Sequence, residues 1–204
     1  MTDADAGGIV DGVPEEDRLR AALYRYLSRF LAAPPDDPLL AVAAGMRGDG
    51  SELGRALNRL AERAAQAGVV SAGREYHDLF IGIGRGELGP FASYYLTGFL
   101  NEKPLARLRA DMAALGAGRA DGVKEPEDHV AGVLEMMAGL IEGEFGAADG
   151  IAGQRRFFGR HVAAWAPRFF TDLERSERAV LYAPVGTVGR IFLAIEETAF
   201  AMEE

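Results

Sequence analysis

Residues 14–35 read PEEDRLRAALYRYLSRFLAAPP, and this stretch decides the fold class. Its apolar residues recur at intervals of three and four, which places them on one face of a helix. Proline is tolerated in the first turn of a helix, where Pro14 would lie, and the pair Pro34-Pro35 must end one. The stretch therefore predicts a helix with one apolar face, formed by Leu19, Leu23, Tyr26, Leu27, Phe30 and Leu31.

Helical spacing continues along the rest of the chain. We expect further helices near residues 38–46, 51–67, 74–81, 101–115, 125–141, 158–169 and 184–202. Ser51 and Asn101 are expected to cap the helices that they precede, and Pro126 to lie in the first turn of its helix. No stretch shows the sustained alternation of apolar and polar residues that is typical of strands. The prediction is one all-α globular domain of about seven to nine helices.

Composition limits the domain organisation and the compartment. The chain has 204 residues, 49% of them apolar and none of them cysteine, so it is long enough to bury a core and forms no disulfide. Residues 1–13 are expected to be a disordered segment before a helical domain at 14–204. Since the chain shows neither an export signal nor 18 consecutive apolar residues, we expect a cytoplasmic protein without stable membrane insertion.

The net charge of the chain distinguishes between nucleic acid and basic peptides as expected partners. The chain carries 22 basic and 31 acidic residues, a net charge of −9. Binding to a phosphate backbone needs a surplus of Lys and Arg, so nucleic acid is excluded as an expected partner. A negative field attracts a basic peptide, although solubility alone is an equally good reason for the charge.

Signals of catalysis are missing. His77, His129 and His161 do not fall in pairs that would bind a metal on one helix face, and no Gly-x-Ser-x-Gly motif is present. The glycine-rich stretch at 82–90 predicts a loop, but it follows a helix and lacks the Gly-Lys-Ser/Thr ending of a nucleotide-binding loop. We therefore expect no enzyme activity, no metal and no cofactor.

Two segments remain notable. Tyr76, Leu79 and Phe80 have the i, i+3, i+4 spacing of an apolar cluster, which by itself indicates core. Residues 125–129 read EPEDH, and the acids fit the first turn of a helix, where Asp128 could satisfy an unpaired amide as in a capping box. This interpretation leaves His129 unexplained, because a charged histidine opposes the helix dipole there.

Taken in order, these motifs resemble the TorD/DmsD/NarJ family of redox-enzyme maturation chaperones. The resemblance rests on Glu75-Tyr76-x-x-Leu79-Phe80, Gly89-Pro90-Phe91-Ala92-Ser93-Tyr94 and Glu125-Pro126-x-Asp128-His129, and is clearest over residues 75–145. It implies an all-helical, non-catalytic cytoplasmic protein. Such a protein binds the twin-arginine leader, and often the body, of a molybdopterin-containing oxidoreductase subunit until its cofactor is inserted. The leader-binding surface implied by the resemblance contains Tyr76, Leu79, Phe80, Pro90, Phe91, Asp128 and His129, with Ser93 and Tyr94 adjoining.

On that surface Asp128 would bind an arginine of the leader, and Pro90, Phe91 and the Tyr76 cluster would form an apolar floor. Two alternatives stay open: a guanine-nucleotide-binding protein that uses the 82–90 loop, and a structural helical subunit without leader specificity. The sequence leaves the client and the choice between monomer and dimer undecided.

Overall fold

The computed structural model describes residues 13–82, 86–119, 122, 124–145 and 150–202. Within these ranges the chain forms ten α-helices and no strand: α1 Glu15–Ala32, α2 Asp37–Gly45, α3 Glu52–Gln66, α4 Val69–Tyr76, α5 Ala92–Thr97, α6 Lys103–Ala114, α7 Val130–Glu142, α8 Gly150–Phe157, α9 Ala166–Arg175 and α10 Tyr182–Met202. Short π-helical segments, His77–Ile81 and Phe158–Val162, follow α4 and α8 directly.

The all-α prediction is confirmed, and the helix count exceeds the expected range by one. The added elements include α5, which has only six residues and is too short to show an apolar repeat. The expected disordered segment falls almost wholly on residues 1–12, which lie outside the described ranges. No helix in the described part of the chain is long and apolar enough to span a membrane.

Of the two predicted caps, one is confirmed and one is wrong. The Oγ atom of Ser51 accepts a 3.0 Å hydrogen bond from the backbone N–H of Gly54, and α3 begins one residue after Ser51. Asn101 does not cap α6. It has a left-handed backbone with φ 60°, and Glu102 takes the N-cap position in extended conformation.

The start of α7 also differs from the prediction. The helix begins at Val130 and not near residue 125, and His129 is its N-cap. Pro126 lies in a turn before the helix, where its carbonyl oxygen accepts a hydrogen bond from the N–H of His129 at 3.0 Å. The capping-box interpretation of Asp128 is therefore wrong, because Asp128 precedes the cap of this helix.

Helix α1 packs against α7, while α10 packs against both α9 and α3. Most of the predicted apolar face of α1 is buried, with Leu27 and Phe30 fully inaccessible. Leu19 is the exception, since 67% of its surface remains exposed. The apolar repeat thus extends beyond the part of α1 that the other helices cover.

Candidate peptide-binding site

Two of the predicted motifs are joined by backbone hydrogen bonds. The N–H of Val130 donates to the carbonyl oxygen of Pro90 at 2.8 Å, and the N–H of Ala92 donates to that of Asp128 at 2.9 Å. This is the pattern of a one-residue antiparallel bridge. Segments that are separated by more than thirty residues in sequence therefore form one structural unit.

His129 has a defined role in this unit. Its Nδ1 accepts a 3.2 Å hydrogen bond from the N–H of Ala131, which caps α7, and its ring meets that of Phe91 edge to face at a centroid distance of 5.0 Å. Burial lowers the pKa of His129 from 6.5 to about 4, although the charges of Glu125 and Asp128 oppose the shift. The imidazole is neutral at pH 7, so it can accept the amide proton without opposing the helix dipole.

Asp128 is buried and engaged within the protein. Only 1% of its surface is exposed, and its Oδ2 accepts a 2.8 Å hydrogen bond from the N–H of Ser93, which is itself inaccessible. The Oδ1 atom is buried without a hydrogen-bond partner among the described residues. Asp128 borders a cavity of about 50 Å³ shared with Arg107, Arg160 and His161, a space sufficient for about one water molecule. The carboxylate thus lies inside the protein and not on an open rim.

Tyr76 and Leu79 belong to the hydrophobic core, and Phe80 is partly buried against it. Tyr76 is 6% exposed and Leu79 is inaccessible. The ring of Phe80 packs against those of Tyr76 and Tyr182 at 5.0 and 5.4 Å. The Tyr76 hydroxyl donates to the carbonyl oxygen of Leu31 at 3.3 Å. Because it is largely buried, the cluster does not provide an open apolar floor.

Tyr94 and His129 line two different openings in the surface. Tyr94 borders a hollow of about 580 Å³ together with Gly89, Tyr95, Arg168 and Asp172. The hydroxyl of Tyr95 donates to Asp172 at 3.0 Å. The structure therefore divides the nine predicted residues between the bridge, the core and this separate hollow.

The glycine-rich stretch is irregular in its described parts, residues 82 and 86–90, as predicted, while residues 83–85 lie outside the described ranges. A polar hollow of about 650 Å³ beside it is lined by charges of both signs, Glu87, Asp172, Arg175, Glu177 and Arg178. Carboxylates repel phosphate, so this lining does not favour the nucleotide-binding alternative.

An opening of about 380 Å³, called the acidic hollow below, lies between α1, α7 and the segment that leads into α7. His129 lines it, and its apolar lining includes Met112, Met136 and Phe145. Its charged lining consists of Glu125, Glu127, Glu135, Glu144 and Arg119. An apolar hollow with a surplus of carboxylates suits a ligand that is both basic and apolar.

Three glutamates converge on one arginine at the edge of the acidic hollow. The guanidinium of Arg25 contacts the carboxylate of Glu135. Its Nε donates to Oε2 of Glu142 at 3.2 Å, and its Nη2 donates to Oε1 of Glu144 at 2.5 Å. One guanidinium cannot neutralise three carboxylates, so the cluster keeps a net negative charge. Sequence reasoning missed these residues. The sequence feature that could have identified them is the seven-residue spacing of Glu135 and Glu142, which places two acids on one face of the otherwise apolar α7.

Tyr76 is coupled to the acidic hollow through charge. Burial, and to a smaller extent the negative charge of Glu125, raises the pKa of Tyr76 to about 12. The residue after its acceptor Leu31 is Ala32, which lines the hollow. The Tyr76 hydroxyl is thus hydrogen-bonded to the residue next to one that lines the acidic hollow.

The family described as nitrate reductase delta subunit has a model that matches residues 47–171 of this chain. The chaperone protein TorD of Vibrio cholerae is 30% identical over 145 residues, which cover 68% of this chain and 65% of that protein. This chain therefore matches slightly less than two thirds of the length of that relative. TorD of Vibrio atlanticus is 30% identical over 156 residues, which cover 72% of this chain and 72% of that protein. TorD of Aliivibrio fischeri is 25% identical over 207 residues, which cover 90% of this chain and 95% of that protein.

Among solved structures, a proposed redox enzyme maturation protein from Archaeoglobus fulgidus superposes with a TM-score of 0.59. The match covers 86% of this chain and 94% of that chain at 23% sequence identity. At this level of identity the similarity shows a shared fold. The described residues contain no group of three or more side chains placed to hold a metal ion.

Proposed function

Because the chain belongs to the nitrate reductase delta subunit family and is related to the TorD chaperones, we propose that it is a maturation chaperone for a redox enzyme. The proposed client is the catalytic subunit of a molybdopterin-containing oxidoreductase, held in the cytoplasm by its twin-arginine leader until its cofactor is inserted. The names of the relatives, chaperone and maturation protein, agree with the expectation that the chain is not an enzyme. The net charge of −9 favours a basic leader.

The observation that carries the leader-binding proposal is the convergence of Glu135, Glu142 and Glu144 on the guanidinium of Arg25 beside an apolar hollow. This cluster already binds a guanidinium group and has negative charge in excess. Carboxylates bind guanidinium better than ammonium, because two parallel N–H donors can meet two carboxylate oxygens. Arginines of a leader would compete with Arg25 for these oxygens.

The apolar part of a leader would pack beside its arginines. Met112, Met136 and Phe145 supply an apolar surface in the acidic hollow, and methionine side chains adapt to different shapes. Glu125 forms no ion pair with a described residue, so its carboxylate is free to accept a second guanidinium. Charge and apolar surface are thus adjacent, as an arginine pair followed by an apolar stretch requires.

The predicted site residues contribute differently in this proposal. His129 lines the acidic hollow, and Phe91 packs on its ring. Asp128 and Ser93 hold the bridge that positions both. Pro90 accepts one of the bridge hydrogen bonds. Tyr76 and Leu79 lie in the core and Phe80 packs against it, so the proposal gives these three residues, like Tyr94, no contact with the leader.

The test uses a labelled synthetic peptide in which two adjacent arginines precede a leucine- and alanine-rich stretch. The peptide is titrated with the protein, and binding is measured by fluorescence anisotropy. Glu135→Gln with Glu144→Gln should weaken binding about three- to tenfold, the effect of losing two partly exposed ion pairs. Glu62→Gln with Glu177→Gln changes net charge equally at exposed positions outside the acidic hollow and should leave binding unchanged. Equal losses in the two double variants would exclude the acidic hollow as the leader site.

A second peptide, with lysine in place of both arginines, tests the chemistry of recognition. It should bind more weakly than the arginine peptide to the wild-type chain, because ammonium lacks the paired donors of guanidinium. Equal affinity for both peptides would contradict recognition by the glutamate cluster and would leave only attraction by net charge.

A further inference from the structure

The connection between α5 and α6 carries large apolar side chains that are exposed. Phe99 is 70% exposed and Leu100 is 53% exposed, and Leu96 in the last turn of α5 is 45% exposed. Single exposed apolar residues are ordinary, but several at one place on the surface indicate a contact with a partner. These three residues, together with Lys103 and Arg107 of α6, are called the α5–α6 patch below.

Hydrogen bonds fix the backbone of this connection. The hydroxyl of Thr97 donates to the carbonyl oxygen of Ser93 at 2.8 Å and accepts from the N–H of Phe99 at 3.2 Å. The N–H of Gly98, which has a left-handed backbone with φ 83°, donates to the carbonyl oxygen of Tyr94 at 2.8 Å. A defined turn therefore presents Phe99 to solvent, and a partner that packs on it has less chain entropy to overcome.

Basic side chains flank the exposed apolar residues. Lys103 and Arg107 lie one turn apart on α6, both are exposed, and neither forms an ion pair with a described residue. Arg107 and Leu96 line the same small cavity, so this guanidinium lies beside the apolar part of the patch. Against these two cations, residues 96–107 carry one carboxylate, that of Glu102.

A further arginine approaches the patch from α9. Arg168 and Leu96 line the same hollow of about 580 Å³. The guanidinium of Arg168 lies 5.8 Å from the centroid of the Tyr95 ring and forms no ion pair with a described carboxylate. The carboxylates of this hollow are engaged, since Asp172 accepts from the hydroxyl of Tyr95 and Glu87 pairs with another arginine at 3.5 Å. The exposed, unpaired charge around this hollow is therefore positive among the described residues.

The charge of the chain distinguishes between the possible occupants. An anionic membrane would meet a whole face of a chain whose net charge is −9, and a second copy would bring the same net charge to the contact. A short segment of a partner protein meets mainly the local cations, because salt screens exposed charges that are more than about 10 Å away. Carboxylates beside apolar side chains on such a segment complement the patch.

We propose that the α5–α6 patch binds an acidic amphipathic segment of a partner protein. Leu96, Phe99 and Leu100 contact the apolar side chains of that segment, and Lys103 and Arg107 bind its carboxylates. The patch stands apart from the proposed leader site, because none of its residues lines the acidic hollow and because its ligand has the opposite charge.

The experiment uses a labelled amphipathic peptide of leucine and glutamate, about four helical turns long. The peptide is titrated with the full chain, and binding is measured by fluorescence anisotropy. Phe99→Ser with Leu100→Ser should weaken binding about tenfold, because two apolar side chains leave the contact while the charge stays the same. The control, Val70→Ser with Val180→Ser, alters valines that are 68% and 60% exposed outside the patch and should bind like the wild type.

Circular dichroism verifies that both double variants are folded, which is expected because all four positions are exposed. Weaker binding that is confined to the patch variant supports the proposal. Equal binding by the wild type and the patch variant overturns it.

A second pair of variants tests the cations of the patch. Lys103→Gln with Arg107→Gln should weaken binding of the leucine–glutamate peptide severalfold, because the carboxylates of the peptide lose their partners. Arg59→Gln with Arg63→Gln removes the same charge at exposed positions of α3 and should have little effect. Equal losses in these two double variants would show that net charge alone attracts the peptide, and the proposal would be wrong.

Exchange of the two peptides separates this proposal from the leader site. Phe99→Ser with Leu100→Ser should still bind the twin-arginine peptide, whether or not the acidic hollow proves to be its site. Glu135→Gln with Glu144→Gln should bind the leucine–glutamate peptide at least as tightly as the wild type. If that glutamate variant loses the leucine–glutamate peptide, the patch is not a separate site and the proposal is wrong.

Two further measurements test the other occupants. If vesicles of phosphatidylglycerol and phosphatidylcholine bind the wild type but not Phe99→Ser with Leu100→Ser, and the leucine–glutamate peptide does not bind, the patch contacts lipid and the proposal is wrong. If sedimentation shows a wild-type dimer that the same variant converts to a monomer, a second copy occupies the patch and the proposal is equally wrong.

Discussion

Oδ2 of Asp128 accepts a 2.8 Å hydrogen bond from the backbone N–H of Ser93, although the two residues are 35 positions apart. Ser93 is the second residue of α5, and no side chain at its N-cap position, Phe91, satisfies the first amides of the helix. The carboxylate therefore caps α5 from another segment. This side-chain bond reinforces the backbone bridge that joins the two motifs.

Removal of this cap should destabilise the fold. We expect Asp128→Ala to lower the free energy of unfolding by about 1–3 kcal/mol, since a buried amide loses a charged acceptor. Asp128→Asn should cost less, because its carbonyl oxygen can still accept from Ser93. Urea denaturation measures both, with Glu177→Ala as an exposed control. If Asp128→Ala is no more destabilising than Glu177→Ala, the hydrogen bond has no role in stability.

Burial of neutral His129 predicts a loss of stability in acid. Its pKa is about 4 in the folded protein and about 6.5 when exposed. Between these values the unfolded chain binds a proton that the folded chain does not, so stability falls as the pH drops from about 6.5 to about 4. The loss attributable to this residue reaches about 3 kcal/mol.

Urea denaturation across this pH range checks the prediction. His129→Asn should flatten the slope between pH 6.5 and pH 4, because asparagine can accept the Ala131 amide proton as an N-cap without titrating. His77→Asn, at a half-exposed histidine, should keep the wild-type slope. Equal slopes in wild type and His129→Asn would show that protonation of His129 is not linked to unfolding.

The side chain of Glu75 caps the N-terminus of α10. Its carboxylate accepts hydrogen bonds from the N–H groups of Val180, Leu181 and Tyr182 at 2.7, 3.1 and 2.8 Å. Glu75→Ala should lower the free energy of unfolding by about 2 kcal/mol and Glu75→Gln by less. Hydrogen exchange of those three amides should accelerate. Glu197→Ala, on the exposed face of α10, serves as the control, and unchanged exchange in Glu75→Ala would contradict this role.

Two glycine-to-alanine changes should have opposite signs. A Cβ at Gly186 in α10 would lie 2.4 Å from the backbone nitrogen of Glu174, which cannot move independently of α9. We expect Gly186→Ala to destabilise the protein by about 1–3 kcal/mol. At Gly73 in α4 the nearest atom is Cβ of Pro34 at 3.9 Å, so alanine should stabilise by about 0.5–1 kcal/mol. Thermal unfolding compares the two. Stabilisation by Gly186→Ala would contradict close packing of α9 and α10, and destabilisation by Gly73→Ala would contradict an open site in α4.

Arg25 offers a gain-of-affinity test of the acidic hollow. If its guanidinium occupies carboxylates that a leader uses, Arg25→Gln should strengthen binding of the twin-arginine peptide severalfold. Arg29→Gln, at an exposed position one turn later in α1, removes the same charge outside the cluster and should have little effect. Equal strengthening by both variants would indicate attraction by net charge alone.

Local patterns in the sequence determined the all-α class, most of the helices and the family. The apolar repeat and the flanking prolines of residues 14–35 predict α1 correctly, and Ser51 predicts the start of α3. These features depend on backbone preferences and on residues within a few positions of each other. The motifs around Tyr76, Pro90 and His129 identify the family for a related reason, since each is a short run of residues in fixed order.

Tertiary structure decided what those residues do. It buried Asp128 against Ser93, made His129 a neutral cap, gathered three glutamates around Arg25 and left Leu19 exposed. Each outcome depends on which helices face one another and on how far they extend. Helical spacing specifies the face on which a side chain lies, but only the packing of the other helices determines whether that face meets protein, a ligand or water.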